Sequence, residues 1–100
     1  MKYKISRKAA SDLEAIWLYT FENWSVEQAD RYYNLIIDEI EYLSKNPTAG
    51  TYYGHVRAGY FHSMVKSHFI FYKMGQGTLE VIRILHQRMD IDAHLDTESN

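Results

Sequence analysis

Residues 67–73 read SHFIFYK, residues 75–77 read GQG, and residues 79–86 read LEVIRILH. The two apolar stretches are rich in aromatic and β-branched side chains, and the glycines between them allow the positive φ of a tight turn. We therefore predict a β-hairpin. Its second strand is nearly continuous in apolar residues, which favours a central position in a sheet covered on at least one face. Residues 60–65, YFHSMV, predict a further strand before this hairpin.

The first half of the chain has a helical period. Residues 2–6 alternate as a short strand, and Ser6 can cap the helix that follows. Ser25-Val26-Glu27-Gln28 is a capping box that starts a second helix, and Asn46-Pro47 ends it. Because few residues separate the helices, we expect an antiparallel helical hairpin. Its predicted apolar seams are Ala9, Leu13, Ile16, Trp17, Thr20 and Trp24 in the first helix, and Ala29, Tyr33, Ile36, Ile40 and Leu43 in the second.

The element order is strand, helix, helix, then three antiparallel strands. Helices and strands are segregated, so the predicted class is α+β, with the helical hairpin packed on a small antiparallel sheet. Residues 48–59 are predicted to be irregular, and residues 90–95 to form one last helical turn. No linker divides the chain, which predicts a single domain over residues 1–96 and a flexible tail over residues 97–100.

Composition excludes several classes of protein. The hydrophobic fraction is 46% and the aromatic fraction 15%, too high for a disordered chain. The chain has no Cys, which fits a reducing cytosol. With no signal peptide and no apolar run of ~20 residues, we expect a cytoplasmic protein without membrane association. His86 and His94 are too far apart for a metal site, and no glycine loop cradles a phosphate, so we expect neither metal nor cofactor.

Charge is uneven along the chain although the net charge is only −2. Residues 2–8 contain four positive charges and no acid, and residues 9–46 contain two positive charges against eight acids. Residues 51–89 contain five positive charges against one acid, and residues 90–100 contain four acids. This alternation favours a polarised molecule, although a solvated mixture of surface charges explains any single block equally well.

Two stretches resemble a known toxin family. HFIFY at residues 68–72, the glycine turn and VIRILHQRMD at residues 81–90 are similar to the ending of the ParE branch of the RelE/ParE toxins. NP at residues 46–47, followed by a glycine and VRAGY at residues 56–60, is a second familiar element. The resemblance covers the chain from Lys2 to about Leu95. It implies a RelE/ParE-like fold and a toxin that inhibits DNA gyrase by binding, without catalysis or direct sequence-specific nucleic-acid binding. It also implies neutralisation by a cognate ParD-like antitoxin in a toxin–antitoxin hetero-oligomer.

Two alternatives stay open beside a gyrase inhibitor. The RelE-like members resemble ribosome-dependent mRNA endonucleases, which need acid–base groups and cations at the scissile phosphate. Here no Tyr follows Tyr72, and a pI of about 6.2 is unfavourable for binding RNA phosphates, although residues 51–89 are locally basic. The other alternative is a decayed toxin that still binds an antitoxin, and only expression separates it from an active one.

Target binding and toxicity are expected at the end of the last strand, in Arg83, His86, Arg88 and Met89. A central strand holds the loop that follows it rigidly, and such loops frequently present functional groups. Met adapts well to a partner surface. The structural alternative pairs Arg83 with a helix acid such as Glu39, while Arg88 caps a carbonyl and the tail covers the edge of the core.

Antitoxin binding is expected on the helical hairpin. The resemblance implies an antitoxin whose C-terminal segment folds onto the toxin, as an amphipathic helix with extended backbone near the sheet. Tyr19, Phe21 and Tyr32 are the predicted anchors, because exposed aromatic residues dominate interface energetics. Trp17, Trp24 and Tyr33 are predicted core residues, and His68 is predicted to be a hydrogen-bonded histidine beside the sheet.

Overall fold

The computed structural model describes residues 1–96, which form a five-stranded sheet with a helical hairpin on one face and a short helix on the other. The tail predicted for residues 97–100 lies outside the described residues. The elements are β1 (Lys2–Ile5), α1 (Arg7–Asn23), α2 (Val26–Lys45), β2 (Thr51–Tyr52), β3 (Tyr60–Val65), β4 (His68–Gly75), β5 (Thr78–His86) and α3 (Ile91–Asp96).

Both predicted helix caps are present. The Ser6 hydroxyl accepts a hydrogen bond from the backbone N–H of Ala9 (3.0 Å), and the Ser25 hydroxyl accepts one from Gln28 (3.1 Å). Each bond satisfies one of the amide groups that the first turn of a helix leaves without an intrahelical partner. The second helix ends at Lys45, immediately before Asn46-Pro47, as predicted.

The sheet has the strand order β1-β5-β4-β3-β2. The predicted α+β class and the antiparallel pairing of β3, β4 and β5 are confirmed. However, β1 pairs with β5 in parallel, so the sheet is mixed rather than purely antiparallel. The two helices supply the long connection that a parallel pair of strands requires. The prediction of an irregular segment over residues 48–59 is wrong at Thr51–Tyr52, which pairs with β3; two residues are too few to show a strand period.

The main core lies between the hairpin and the sheet. It contains Ala9, Leu13, Ile36, Ile40, Leu43, Ile70, Tyr72, Leu79, Val81 and Ile84. A second cluster on the other face joins Tyr60, Phe71, Ile82, Leu85 and Leu95, so α3 covers that face. Because β5 contributes to both clusters, it is buried on both sides, which explains its nearly continuous apolar sequence.

The predicted apolar seams are buried in only part of the hairpin. Trp17 is half-buried, whereas Trp24 is 63% and Tyr33 40% exposed. These three residues lie in the half of the hairpin next to the interhelical loop, and the buried seam residues lie mostly in the other half, against the sheet. The prediction that they belong to the core is therefore wrong for Trp24 and Tyr33. Tyr32, and not Tyr33, packs against the core.

Candidate functional site

A groove of about 680 Å3 opens between the hairpin and the end of the sheet, and we call it the hairpin–sheet groove. Most of its wall is apolar, and its cationic side chains are Arg31 and Lys66. A cavity of this size and character is typical of binding sites. Its lining comprises Asp12, Ala15, Ile16, Tyr19, Thr20 and Trp24; Gln28, Arg31, Tyr32 and Leu35; and Lys66, Ser67, His68, Ile84, His86 and Met89.

An ion pair joins α1 to β5 beside the groove. Asp12 accepts hydrogen bonds from Arg83 Nε (2.8 Å) and Nη2 (3.0 Å), and from the backbone N–H of Ile84 (2.9 Å). The two charged side chains are only 14% and 16% exposed. The alternative in which Arg83 pairs with a helix acid is therefore correct, but the acid is Asp12 and not the predicted Glu39. Glu39 instead accepts a hydrogen bond from the Ser63 hydroxyl.

A tyrosine and two histidines form a polar cluster in the groove. The Tyr32 hydroxyl donates to the carbonyl oxygen of Val65 (3.0 Å) and lies 2.6 Å from Nδ1 of His68. When that hydroxyl proton goes to Val65, the His68 Nδ1–H donates to the tyrosine oxygen. His68 is thus hydrogen-bonded beside the sheet, as predicted. Its ring lies perpendicular to that of His86, its cross-strand neighbour, with ring centres 5.1 Å apart.

The surroundings of this cluster favour neutral side chains. The pKa of His68 is lowered to about 4, mainly by burial and also by the nearby His86, while Asp12 acts in the opposite direction. Burial likewise raises the pKa of Tyr32 above its ordinary value. Nδ1 of His86 accepts a hydrogen bond from the backbone N–H of Arg88 (3.1 Å), so the neutral ring carries its proton on Nε2. Tyr32 and His68 therefore offer neutral hydrogen-bonding groups within a mostly apolar wall.

The groove brings together four of the residues predicted to form sites. Tyr19 and Tyr32 come from the hairpin, and His86 and Met89 from the end of β5. Tyr19 is 61% exposed, whereas Tyr32 is half-buried, so the expectation that Tyr32 is exposed is wrong. Residues predicted to bind the antitoxin and residues predicted to bind the target thus lie on one surface.

The other predicted site residues lie elsewhere. Phe21 is 43% exposed but stacks on Trp17, outside the groove lining. Arg88 is exposed and follows the groove without lining it. The Arg83 guanidinium is held by Asp12. The predicted target-binding set is therefore divided between the groove, the surface beside it and a structural ion pair.

Sequence reasoning assigned no site role to most of the other residues that line the groove, among them Trp24 and Asp12. Trp24 lines it, although its helical spacing predicted a core residue. Its position directly before the cap Ser25 places it at the interhelical loop, where packing against the sheet ends; that position was the available signal. Asp12 precedes the buried Leu13 on α1, but nothing in the local sequence indicates that its partner lies 71 residues further along.

Comparison with known proteins identifies the family. A family model described as "ParE toxin of type II toxin-antitoxin system, parDE" matches residues 3–91. The chain belongs to the ParE toxin family. It is 39% identical to Toxin ParE1 of Mycobacterium tuberculosis over 95 residues, covering 94% of this chain and 97% of the relative. It is 41% identical to Toxin ParE1 of Caulobacter vibrioides over 93 residues, covering 93% and 96%.

A solved structure supports the ParE-like fold. A chain described as "Chromosomal ParDE TA system from P. aeruginosa" matches with a TM-score of 0.76 and 20% sequence identity. The match covers 86% of this chain and 95% of that one. At this identity, the likeness concerns the fold alone.

Residues 1–96 contain neither a membrane-spanning helix nor a cluster of metal ligands. No helix among residues 1–96 combines the length and the apolar character that a membrane span requires. The same described residues contain no group of three or more His, Cys, Asp or Glu side chains placed to hold a metal ion.

Proposed function

We propose that this ParE-family toxin inhibits DNA gyrase by protein–protein binding and is neutralised by a ParD-like antitoxin that occupies the hairpin–sheet groove. One observation carries the proposal: the groove combines hairpin residues expected to bind the antitoxin with His86 and Met89 of the expected target-binding region. An occupant of the groove covers both sets at once. Neutralisation then follows from simple occlusion.

The groove favours an amphipathic segment as its occupant. Its apolar wall and exposed aromatic residues Tyr19 and Trp24 suit the apolar face of a helix. Arg31 and Lys66 favour a partner with acidic side chains at the edge of that face. His86 supplies a hydrogen-bond donor at Nε2 for a polar group near its centre.

Binding without catalysis agrees with the state of the cationic groups. A phosphoryl-transfer site needs a cation free to stabilise the charge of the transition state. The guanidinium of Arg83 already donates two hydrogen bonds to Asp12. The low pKa of His68 keeps its ring neutral at pH 7. Arg83 and His68 are therefore poorly suited to act in an mRNA endonuclease, which leaves Arg31, Lys66 and Arg88 as the exposed cations of this region.

Growth and supercoiling assays test the target. We expect purified wild-type protein to reduce ATP-dependent supercoiling by gyrase, and Arg88→Ala and His86→Ala to lose inhibition while remaining folded. Gln87→Ala, an exposed neighbour, is the matched control and should inhibit as wild type does. Ribosome-dependent cleavage of mRNA with supercoiling unaffected would overturn the proposal in favour of a nuclease. Truncation after Asp92 is a poor variant because it also removes the fully buried Leu95.

Antitoxin binding is tested by filling the groove. Ala15→Arg places a long side chain in the groove lining, and Arg is a good helix former, so the fold should survive. Ala10→Arg makes the same change at an exposed α1 position outside the lining. We expect calorimetry to show roughly 10-fold or greater loss of antitoxin affinity for Ala15→Arg, the scale of a blocked hot spot, and little change for Ala10→Arg. Equal affinity of both variants would place the antitoxin elsewhere.

A further inference from the structure

The hairpin has a second exposed apolar surface, formed by Trp17, Phe21, Val26, Asp30 and Tyr33; we call it the outer aromatic face. The Trp17 and Phe21 rings are stacked with centres 5.3 Å apart. Phe21, Val26 and Tyr33 are 43%, 44% and 40% exposed. None of the five residues lines the hairpin–sheet groove.

The outer aromatic face points away from the groove. Each residue turns an α-helix by about 100°, so positions two apart project about 200° apart. On α2, Val26 and Tyr33 are therefore on the opposite side from Gln28 and Leu35, which line the groove. The hairpin thus has two separate surfaces, and a partner in the groove leaves the outer one uncovered.

A hydrogen bond orders the outer aromatic face. Trp17 Nε1–H donates to Asp30 Oδ1 at 2.8 Å, which ties the indole of α1 to a carboxylate of α2. Phe21 stacks on that indole. Aromatic side chains held in this way lose little conformational freedom on binding, and such residues supply much of the affinity of protein interfaces.

Charge identifies the occupant of this face. Residues 10–34 contain five acids and one cation, Arg31. Arg31 lines the groove, and Asp12 pairs with Arg83, so both are engaged on the other side. Glu14, three residues before Trp17 on α1, and Asp30, which is bonded to the Trp17 indole, place two carboxylates on the side of the outer aromatic face. Carboxylates beside the exposed Phe21 and Tyr33 rings favour arginine and lysine side chains, through ion pairs and cation–π contacts.

We propose that the outer aromatic face binds a basic surface of DNA gyrase, of the kind with which that enzyme contacts DNA phosphates. This inference rests on the proposed function, since it takes gyrase as the target. An enzyme that holds DNA presents Lys and Arg side chains to the phosphate backbone. The acidic and aromatic face offers the complementary charge. It is a target contact additional to the end of β5, and on the side opposite the antitoxin groove.

The test compares two exposed aromatic residues of the outer aromatic face with a third that lies outside it. The double variant Phe21→Ser with Tyr33→Ser removes two rings from the outer aromatic face and leaves Trp17 in place. Tyr42→Ser is the matched control, because Tyr42 is 52% exposed on the same helix but projects about 180° from Tyr33. Affinity for immobilised gyrase holoenzyme is measured at low and high salt. Affinity for the antitoxin and the mass of the free chain are measured in parallel.

We expect the double variant to lose about 10-fold or more in gyrase affinity, as for truncated interface hot spots, and to keep wild-type antitoxin affinity. Glu14→Lys should weaken gyrase binding and reduce its salt dependence, since it reverses an exposed charge. Unchanged gyrase affinity in the double variant overturns this inference and leaves the proposed function intact. Loss of antitoxin affinity in the double variant would assign the outer aromatic face to the antitoxin. Conversion of a self-associated chain into a monomer would assign the face to a second copy of this chain. Either result overturns the inference. Failure of the wild-type chain to bind gyrase removes the proposed function together with the inference.

Discussion

The buried ion pair between Asp12 and Arg83 makes the fold sensitive to one carboxylate. Asp12→Ala removes two hydrogen bonds to the guanidinium and one to the amide of Ile84. Because both charged side chains are about 85% buried, the substitution takes hydrogen bonds away from a buried guanidinium and a backbone amide. Removing one partner of a buried pair costs about 3–5 kcal/mol, and we expect the lower end because both side chains still touch water.

The corresponding change in melting temperature follows from chain length. For a 100-residue protein, an unfolding entropy of ~2.1 cal/mol/K per residue converts a loss of about 3 kcal/mol into a decrease of roughly 14 °C in Tm. Urea titration followed by tryptophan fluorescence measures the free energy of unfolding, and calorimetry measures Tm. The control is Glu80→Ala, which breaks the Lys73–Glu80 pair (3.8 Å), whose side chains are 47% and 28% exposed, respectively. Such a surface pair contributes at most ~1 kcal/mol.

A second substitution separates charge from packing. Asp12→Leu combined with Arg83→Met removes both charges and retains apolar volume, so it should destabilise less than Asp12→Ala alone. The reasoning fails if Asp12→Ala lowers the free energy of unfolding by no more than Glu80→Ala does. It also fails if the double variant is less stable than Asp12→Ala.

Three further predictions concern His68, Gly50 and Leu95. The pKa of His68 is about 4 in the folded protein, against an ordinary value of 6.5. The neutral His68 ring therefore contributes stability above pH 6.5, and this contribution is lost as the pH falls through 4. His68→Asn should flatten the dependence of the free energy of unfolding on pH over that window. Gly50→Ala places a Cβ against the Tyr72 hydroxyl and should cost about 1–3 kcal/mol by urea titration, whereas Gly75→Ala, with open space around it, should be nearly neutral. Leu95→Ala should lower the free energy of unfolding by about 2–5 kcal/mol, and a wild-type value would show that α3 does not anchor the second core.

Local patterns predicted the elements of the ParE fold well. The caps Ser6 and Ser25 form the expected hydrogen bonds, because an N-cap depends on residues within three positions of it. Strand β3 has the predicted bounds, and the glycine turn has Gly77 at a φ of 74°. Of the residues predicted to bind partners, Tyr19, Tyr32, His86 and Met89 line the groove, and their binding roles stay predictions. Their grouping on a single surface was not predicted.

Tertiary structure decided what covers each surface. Helical periodicity correctly indicated that Trp24 and Tyr33 share a face with buried residues, but it contains no information on where the sheet beneath that face ends. The parallel pairing of β1 with β5 and the bond from Asp12 to Arg83 join segments more than 70 residues apart. Such contacts depend on how the helices lie across the sheet. The sequence by itself therefore determined most helix and strand boundaries to within two residues, but not the two-residue β2. Only packing decided which aromatic residues are left exposed for partners, because burial depends on the neighbour that an element meets.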